Sequence, residues 1–217
     1  TVYSEMLPSE YSRDSLLKPK KFTHYSMGLY VLFFGSKKKF SNVAHHTIWM
    51  SERYKELLHD IFEKKILTED FSLYLHRPTA TDDTFAPEGC DSFYVLCPVP
   101  NLQGNVQWNS EGPKLKDRIV EALDKTIMPG LKENIEAEFW MTPEDFKNDY
   151  RSKYGAGFSV APIFSQSAWF RYHNKDKKIP NLYFSAAGSH PGAGIPGVLC
   201  SAKVIEKLII KDFKVSH

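Results

Sequence analysis

Asn181-Leu182-Tyr183-Phe184-Ser185-Ala186-Ala187-Gly188-Ser189-His190-Pro191-Gly192-Ala193-Gly194-Ile195-Pro196-Gly197-Val198 reads as a strand, a Gly/Pro loop and the start of a helix. Asn181 to Ala187 is the strand, because aromatic and apolar residues run together there before the glycines. Pro196 suits the first helical turn, and a helix is expected from about Pro196 to Phe213 with Ile205, Leu208 and Ile209 toward a core. Gly192, Gly194 and Gly197 match GxGxxG literally, but a dinucleotide fingerprint opens a βαβ unit with an acid about 20 residues further on. The helix consumes most of the residues after Gly197, so that reading fails on context. What remains is a loop that lets backbone approach a flat or anionic group, beside helix amides that can stabilise a developing negative charge. On spacing alone a tight structural turn is the competing reading.

Upstream, sheet and helix signals alternate. Leu29 to Phe34 is apolar without interruption, as a central strand covered on both faces would be. A helix is expected over 52–66, capped by Ser51, with Tyr54, Leu57, Leu58, Ile61 and Phe62 at helical spacing. Phe71 to His76 and Ser92 to Val99 read as strands, separated by a Thr/Asp/Pro/Gly loop from Thr79 to Asp91. Leu115, Ile119, Leu123 and Ile127 recur every fourth residue on a helix over 113–127 that Pro129-Gly130 closes. Ile135 to Met141 is a further strand, and Thr142-Pro143-Glu144-Asp145 starts a helix running to about Tyr150.

The chain has 217 residues, 42% hydrophobic and 14% aromatic, enough for one large domain or two small ones with a real core. That excludes a disordered tail. The longest apolar run, Gly28 to Phe34, is far short of the roughly 20 residues of a membrane-spanning helix. Cys90, Cys97 and Cys200 are odd in number and lack CxxC spacing, which points away from a disulfide framework or four-ligand zinc site and toward a reduced, intracellular compartment. Net charge is +2, yet residues 1–39 hold seven Lys/Arg against three acids and the last fifteen hold four lysines against two acids. Lys18-Pro19-Lys20-Lys21 and Lys37-Lys38-Lys39 suit an anionic surface, although solvated loop charge is the simpler reading, the second cluster on a hairpin-like connection.

Taken together, the segment 181–198 resembles the C-terminal flavin-contacting signature of the carotenoid desaturases of the bacterial and fungal phytoene desaturase type. The resemblance extends in family order through His45-His46-Thr47-Ile48, Asp70 to Thr79, Ala86-Pro87-Glu88-Gly89-Cys90, Phe93 to Leu102, Met128-Pro129-Gly130-Leu131 and Gln166-Ser167-Ala168-Trp169-Phe170-Arg171. It implies a mixed α/β (α+β) fold, the C-terminal part of a Rossmann-type FAD-binding flavoprotein with a mixed or antiparallel substrate-domain sheet flanked by helices. Residues 1–170 would be the C-terminal part of a substrate-binding domain, and 171–217 the closing strand, loop and helix of the FAD-binding domain. FAD would be the cofactor, held by Gly188, Ser189, His190, Pro191, Gly192, Ala193, Gly194, Ile195, Pro196, Gly197 and Val198, with the helix N-terminus facing the isoalloxazine. The partners implied are phytoene or a similar long-chain isoprenoid, a peripheral membrane surface on the cytoplasmic side and a second copy of the chain, with no nucleic acid. The family's N-terminal GxGxxG unit has no counterpart here, so this polypeptide alone is expected to be inactive. Ala186 stands where the family commonly has Gly, Ser189 where it has Thr, and Tyr172 where proline follows Trp-Phe-Arg. A truncated isoprenoid- or partner-binding chain without catalysis is the main alternative, followed by a related carotenoid isomerase or retinol-saturase-like flavoprotein.

No catalytic residue can be assigned from spacing. His45 and His46 are adjacent at a strand start, which sends their side chains to opposite faces and denies them a shared metal. His76-Arg77, ahead of the Thr81-Asp82-Asp83 loop, reads as a local ion pair first and the border of a cavity second, and Glu88 as a solvated turn carboxylate more readily than an acid or base. Phe158, Phe164, Trp169 and Phe170 suit core packing first and an apolar tunnel second. No metal site is expected.

Overall fold

In a computed structural model, which describes residues 2–12 and 23–214, the chain forms two compact units, one of residues 27–150 and one of residues 1–26 with 151–217.

The 27–150 unit is built on a five-stranded antiparallel sheet: β1 (Gly28–Ser36), β2 (His46–Trp49), β3 (Leu73–His76), β4 (Asp91–Val99) and β5 (Ile135–Met141), in the order β2-β3-β4-β1-β5. The mixed helix and antiparallel-sheet class expected from the sequence is thus observed. β1 is central, paired on both sides, and its uninterrupted burial from Gly28 to Leu32 accounts for its unbroken apolar run. β4 alternates strictly between buried and half-buried positions. Pro98, which cannot donate to a ladder, falls opposite Leu29 of β1, beyond Leu96 where pairing with β3 stops.

The longer α-helices among the described residues are α1 (Tyr54–His59), α2 (Trp108–Lys125), α3 (Pro143–Asn148) and, in the other unit, α4 (Ile195–Phe213). α2 covers one sheet face, burying Leu115, Ile119 and Leu123 against Tyr30, Leu32, Phe34, Phe93, Val95 and Cys97 in one cluster. The Tyr30 hydroxyl donates to the Gly112 carbonyl of α2 at 2.9 Å, and its ring stacks on Trp108. These contacts lengthen the helix at its start, to Trp108 rather than residue 113, with Pro113 inside it. It ends at Lys125, so Ile127 lies beyond the helix; Gly130 takes a φ of +84° in the turn that follows. α3 starts as expected: the Asp145 carboxylate accepts from both the amide (2.6 Å) and the hydroxyl (2.8 Å) of Thr142.

Three expectations need correction. The helix after Ser51 begins at Tyr54 and passes into a π-helical turn, Asp60–Lys64; Ser51 spends its hydroxyl on Asp70 while accepting the Arg53 amide. Lys37-Lys38-Lys39 does not lie on a hairpin, because β1 and β2 are three strands apart; Lys37 pairs with Glu136, Lys39 with Asp83, and Lys38 donates to the Pro129 carbonyl. Asn181 to Ala187 forms no ladder: its pairing is a single bridge between Lys175 and Tyr183, Asn181 has a φ of +63°, and its backbone groups are met by Asn174, Asp176 and the Arg171 side chain instead of a neighbouring strand. Lys18 to Lys21 lies outside the described residues.

The other unit has a different basis. Its described buried apolar residues are Ala156, Val160 and Ala161, while Ser26, Arg171, Asn174, Asp176, Ser189 and Ser201 are buried polar ones. Among the described residues no helix is long and apolar enough to cross a membrane.

Candidate functional site

The glycine-rich loop is held from behind by buried hydrogen bonds. Arg171 donates through Nε to the Ala187 carbonyl at 2.8 Å, through Nη2 to Phe158 and Val160, and through Nη1 to Gln166. Burial pushes its guanidinium below the usual arginine value. Asn174 Nδ2 donates to the Phe184 carbonyl at 3.0 Å, the His190 carbonyl at 2.8 Å and Ser201 Oγ at 2.8 Å. Ser189 Oγ donates to Ala186 O at 2.9 Å, accepts the Ala186 amide and meets Ser201 Oγ at 3.1 Å. Four separate stretches of chain thus meet at one turn, and the carbonyls of Phe184, Ala186, Ala187 and His190 are satisfied although no sheet supplies partners.

The front of the loop is open. Gly192 and Gly194 have φ of +147° and +91°, and a Cβ at Gly194 would meet nothing within 4 Å. A Cβ at Gly197 would strike the Gly192 carbonyl at 2.8 Å, so the loop folds tightly on the helix start. α4 begins at Ile195 with no side-chain cap; Gly194 has no side chain, and Pro196 has no N–H. Of the eleven loop residues, Ser189 is buried, Gly194, Ile195 and Pro196 are exposed, and Gly188, His190, Pro191, Gly192, Ala193, Gly197 and Val198 are half-buried. They form one continuous feature. Its open backbone and uncapped helix start fit a flat or anionic group, and its buried hydrogen bonds would hold that shape ready.

Beside it, Trp169 stands edge-on to His190 at 6.0 Å, and Phe164 meets Phe170 at 5.6 Å. Phe164, Trp169 and Phe170 are 86%, 68% and 53% exposed, so the expectation of core packing is overturned. These rings sit on two short turns, the first bound at the Gln166 carbonyl by Arg171 and the second hydrogen-bonded at the Ala168 carbonyl to His190 Nδ1, with the side chains left outward. A cavity lined by Thr23, Val160, Gln166, Phe170, Arg171 and Tyr172 has a volume of about 10 Å³, room for one water.

The sheet face opposite α2 carries a second constellation. Strand register lines up His46, His76, Tyr94, Phe33 and Phe139 straight across all five strands, with Ile48, Tyr74, Leu96, Val31 and Met141 in the next row. Phe33 stacks on Phe139 at 4.5 Å, and Tyr94 packs on Phe33 and His76. Burial pushes the Tyr94 phenol up to about 12, and it lowers the His76 imidazole, helped by His45 and His46.

The expected divergence of His45 and His46 does not occur. His45 precedes β2, so strand alternation does not govern it, and its ring lies 4.4 Å from that of His46. Arg77 pairs with Asp91 at 3.0 Å rather than with the 81–83 loop, and both are buried. Glu88 is exposed. Two features escaped the sequence reading: the anchoring role of Arg171 and Asn174, for which Trp169-Phe170-Arg171 was the available signal, and the histidine cluster, which needs the strand register to be seen.

The chain is 47% identical over 215 residues to a lycopene-forming phytoene desaturase of Pantoea ananas, covering 97% of this chain and 43% of that protein. It is 50% identical over 218 residues to the lycopene-forming phytoene desaturase of Pseudescherichia vulneris, covering 98% of this chain and 44% of that protein. A 4,4'-diapophytoene desaturase of Methylomonas is 33% identical over 211 residues, 92% of this chain and 41% of that protein. No family model matches. The chain spans less than half the length of these relatives.

Proposed function

From a chain homologous over nearly its whole length to the C-terminal portion of phytoene desaturases, we propose that it supplies the substrate-side sheet and the isoalloxazine-facing loop of an FAD-dependent oxidoreductase. The reaction would introduce double bonds into phytoene. The observation that carries this reading is the 47–50% identity to two lycopene-forming enzymes, against 33% to the diapophytoene enzyme, which also favours the longer isoprenoid.

Gly188, Ser189, His190, Pro191, Gly192, Ala193, Gly194, Ile195, Pro196, Gly197 and Val198 would hold the flavin end of FAD. The flavin would supply a hydride acceptor for an allylic C–H bond. The chain's own part is positional. The amides heading α4 favour negative charge in front of them, and Arg171, Asn174 and Ser189 keep the loop from collapsing when the site is empty. The exposed Phe164, Trp169 and Phe170 would offer apolar contact to the polyene or to the membrane surface from which it is drawn. On this reading the functional boundary falls near 170/171, inside the second compact unit rather than at its edge at 150/151. Ligand contact and chain compactness then follow different borders, with Arg171 as the tie between them.

A chimaera joining the N-terminal part of the Pantoea ananas relative to this chain is expected to bind FAD and to convert phytoene in vesicles to products absorbing in the visible. A chimaera that holds flavin yet forms no product overturns the desaturase reading and leaves a non-catalytic isoprenoid-binding role.

A further inference from the structure

His45, His46 and His76 each offer a ring nitrogen, and the three nitrogens lie within 4.8 Å of one another. The cluster joins the residue before β2, the first residue of β2 and the last residue of β3, so backbone pairing of His46 with His76 fixes two of the three positions. His45 Nε2 and His76 Nε2 are 2.9 Å apart. Two nitrogens each about 2.05 Å from a tetrahedral ion are about 3.3 Å apart, so the observed separations bracket the spacing that coordination requires.

Two of the three remaining nitrogens have outer partners. His45 Nδ1 is hydrogen-bonded to Thr81 Oγ1, and His46 Nδ1 lies 2.7 Å from the Tyr74 hydroxyl. An Nδ1–H donated to a hydroxyl fixes the tautomer with a bare Nε2 lone pair, the ligating form. His76 Nδ1 is buried without a hydrogen-bond partner. A neutral imidazole in that position keeps its proton on Nε2, toward His45; Nε2 gains a free lone pair for an ion only when that proton moves to Nδ1, so coordination changes the His76 tautomer. His46 is exposed and His45 and His76 are half-buried, so an ion can enter from solvent and keep a fourth position for water.

We propose that His45, His46 and His76 form a binding site for one divalent transition-metal ion of the zinc class, clipping the four-residue edge strand β2 to the end of β3. Three neutral imidazoles select ions that accept nitrogen donors and reject Mg²⁺ and Ca²⁺, which require oxygen. The site does not depend on the desaturase reading, since it uses no residue of the glycine loop.

The test is titration of the purified chain, in the longest form in which it occurs, with Zn²⁺ by calorimetry and with Co²⁺ by visible absorption. One ion per chain is expected, with a dissociation constant on the order of 1 µM and cobalt bands of four-coordinate intensity. Tyr74→Phe, which removes only the outer hydroxyl, should weaken binding about tenfold. His46→Ala, at an exposed position, should abolish the cobalt bands while circular dichroism stays unchanged. Absence of binding below about 1 mM, or zinc binding that survives His46→Ala unaltered, overturns the site.

Discussion

Asp91 sits fully buried with donors on both carboxylate oxygens: the Phe40 amide at 2.6 Å and Arg77 Nε at 3.0 Å on one, the Thr79 hydroxyl at 2.7 Å on the other. Arg77 also donates to the Val43 carbonyl at 3.0 Å. Asp91→Ala strands a buried guanidinium and two further donors, and should cost about 3–5 kcal/mol in urea unfolding. Asn174→Asp is nearly isosteric yet has no N–H to give the Phe184 and His190 carbonyls; it should destabilise the loop by about 2 kcal/mol or more, read as faster hydrogen exchange across residues 184–190. Asp60 shows the pH dependence of such pairs. The Lys64 ammonium, hydrogen-bonded at 2.7 Å, and then Arg53 hold its carboxyl below the usual carboxylate range against the opposing effect of burial. Because the folded value is depressed, the stabilisation is present above the unfolded value of about 4 and disappears as pH falls through the folded one. Urea midpoints of the wild-type chain should drop between pH 5 and lower values more steeply than those of Asp60→Asn, and equal slopes would remove Asp60 as a contributor.

Among the elements, α2 shows what periodicity conveys and what it omits. Leu115, Ile119 and Leu123 are spaced for a buried stripe and are fully buried, so Ile119→Ala should lower stability by about 2–5 kcal/mol. The extra helical residues before Pro113 were hidden because their stabilisation comes from Tyr30 and Trp108, partners distant in sequence or outside the repeat. The strands were legible for a similar reason: burial on both faces leaves an unbroken apolar run in β1, and burial on one leaves the alternation of β4. Pairing order was not legible, and the histidine cluster depends on it. Asn181 to Ala187 has strand composition without a ladder, since composition records what a segment can pair with and not whether a partner stands beside it. Positive φ at Gly192 and Gly194 was anticipated by residue type, whereas the anchors behind the loop were not, because a buried arginine bonded to four carbonyls leaves no pattern in spacing. Gly104 makes a related point. A Cβ there would lie 2.2 Å from the Lys65 carbonyl oxygen, so Gly104→Ala should shift the urea midpoint sharply downward although nothing in the local sequence marks the position.

At the scale of the whole molecule, the two units rest on different forces. The 27–150 unit contains nearly all the buried apolar side chains, whereas the other unit is tied by polar contacts and ends in a 19-residue helix in which Ser201 alone is buried. Hydrophobic burial dominates the stability of a compact unit, so the unit without it opens at lower free energy. Native-state hydrogen exchange should therefore show α4 amides exchanging well before those of α2; equal protection would contradict this division. Ile195 and Leu199 at the start of α4 are exposed, so this end of the helix adds little apolar burial to its unit. The three free cysteines are distributed across the same division. Cys200 is exposed on α4, Cys90 is half-buried, and Cys97 is buried beneath α2 with its thiol pushed up to about 12 by burial. The chain thus carries its own clock for chemical labelling: a maleimide should take Cys200 within the mixing time, while the moment Cys97 reacts records the opening of the sheet that shelters it.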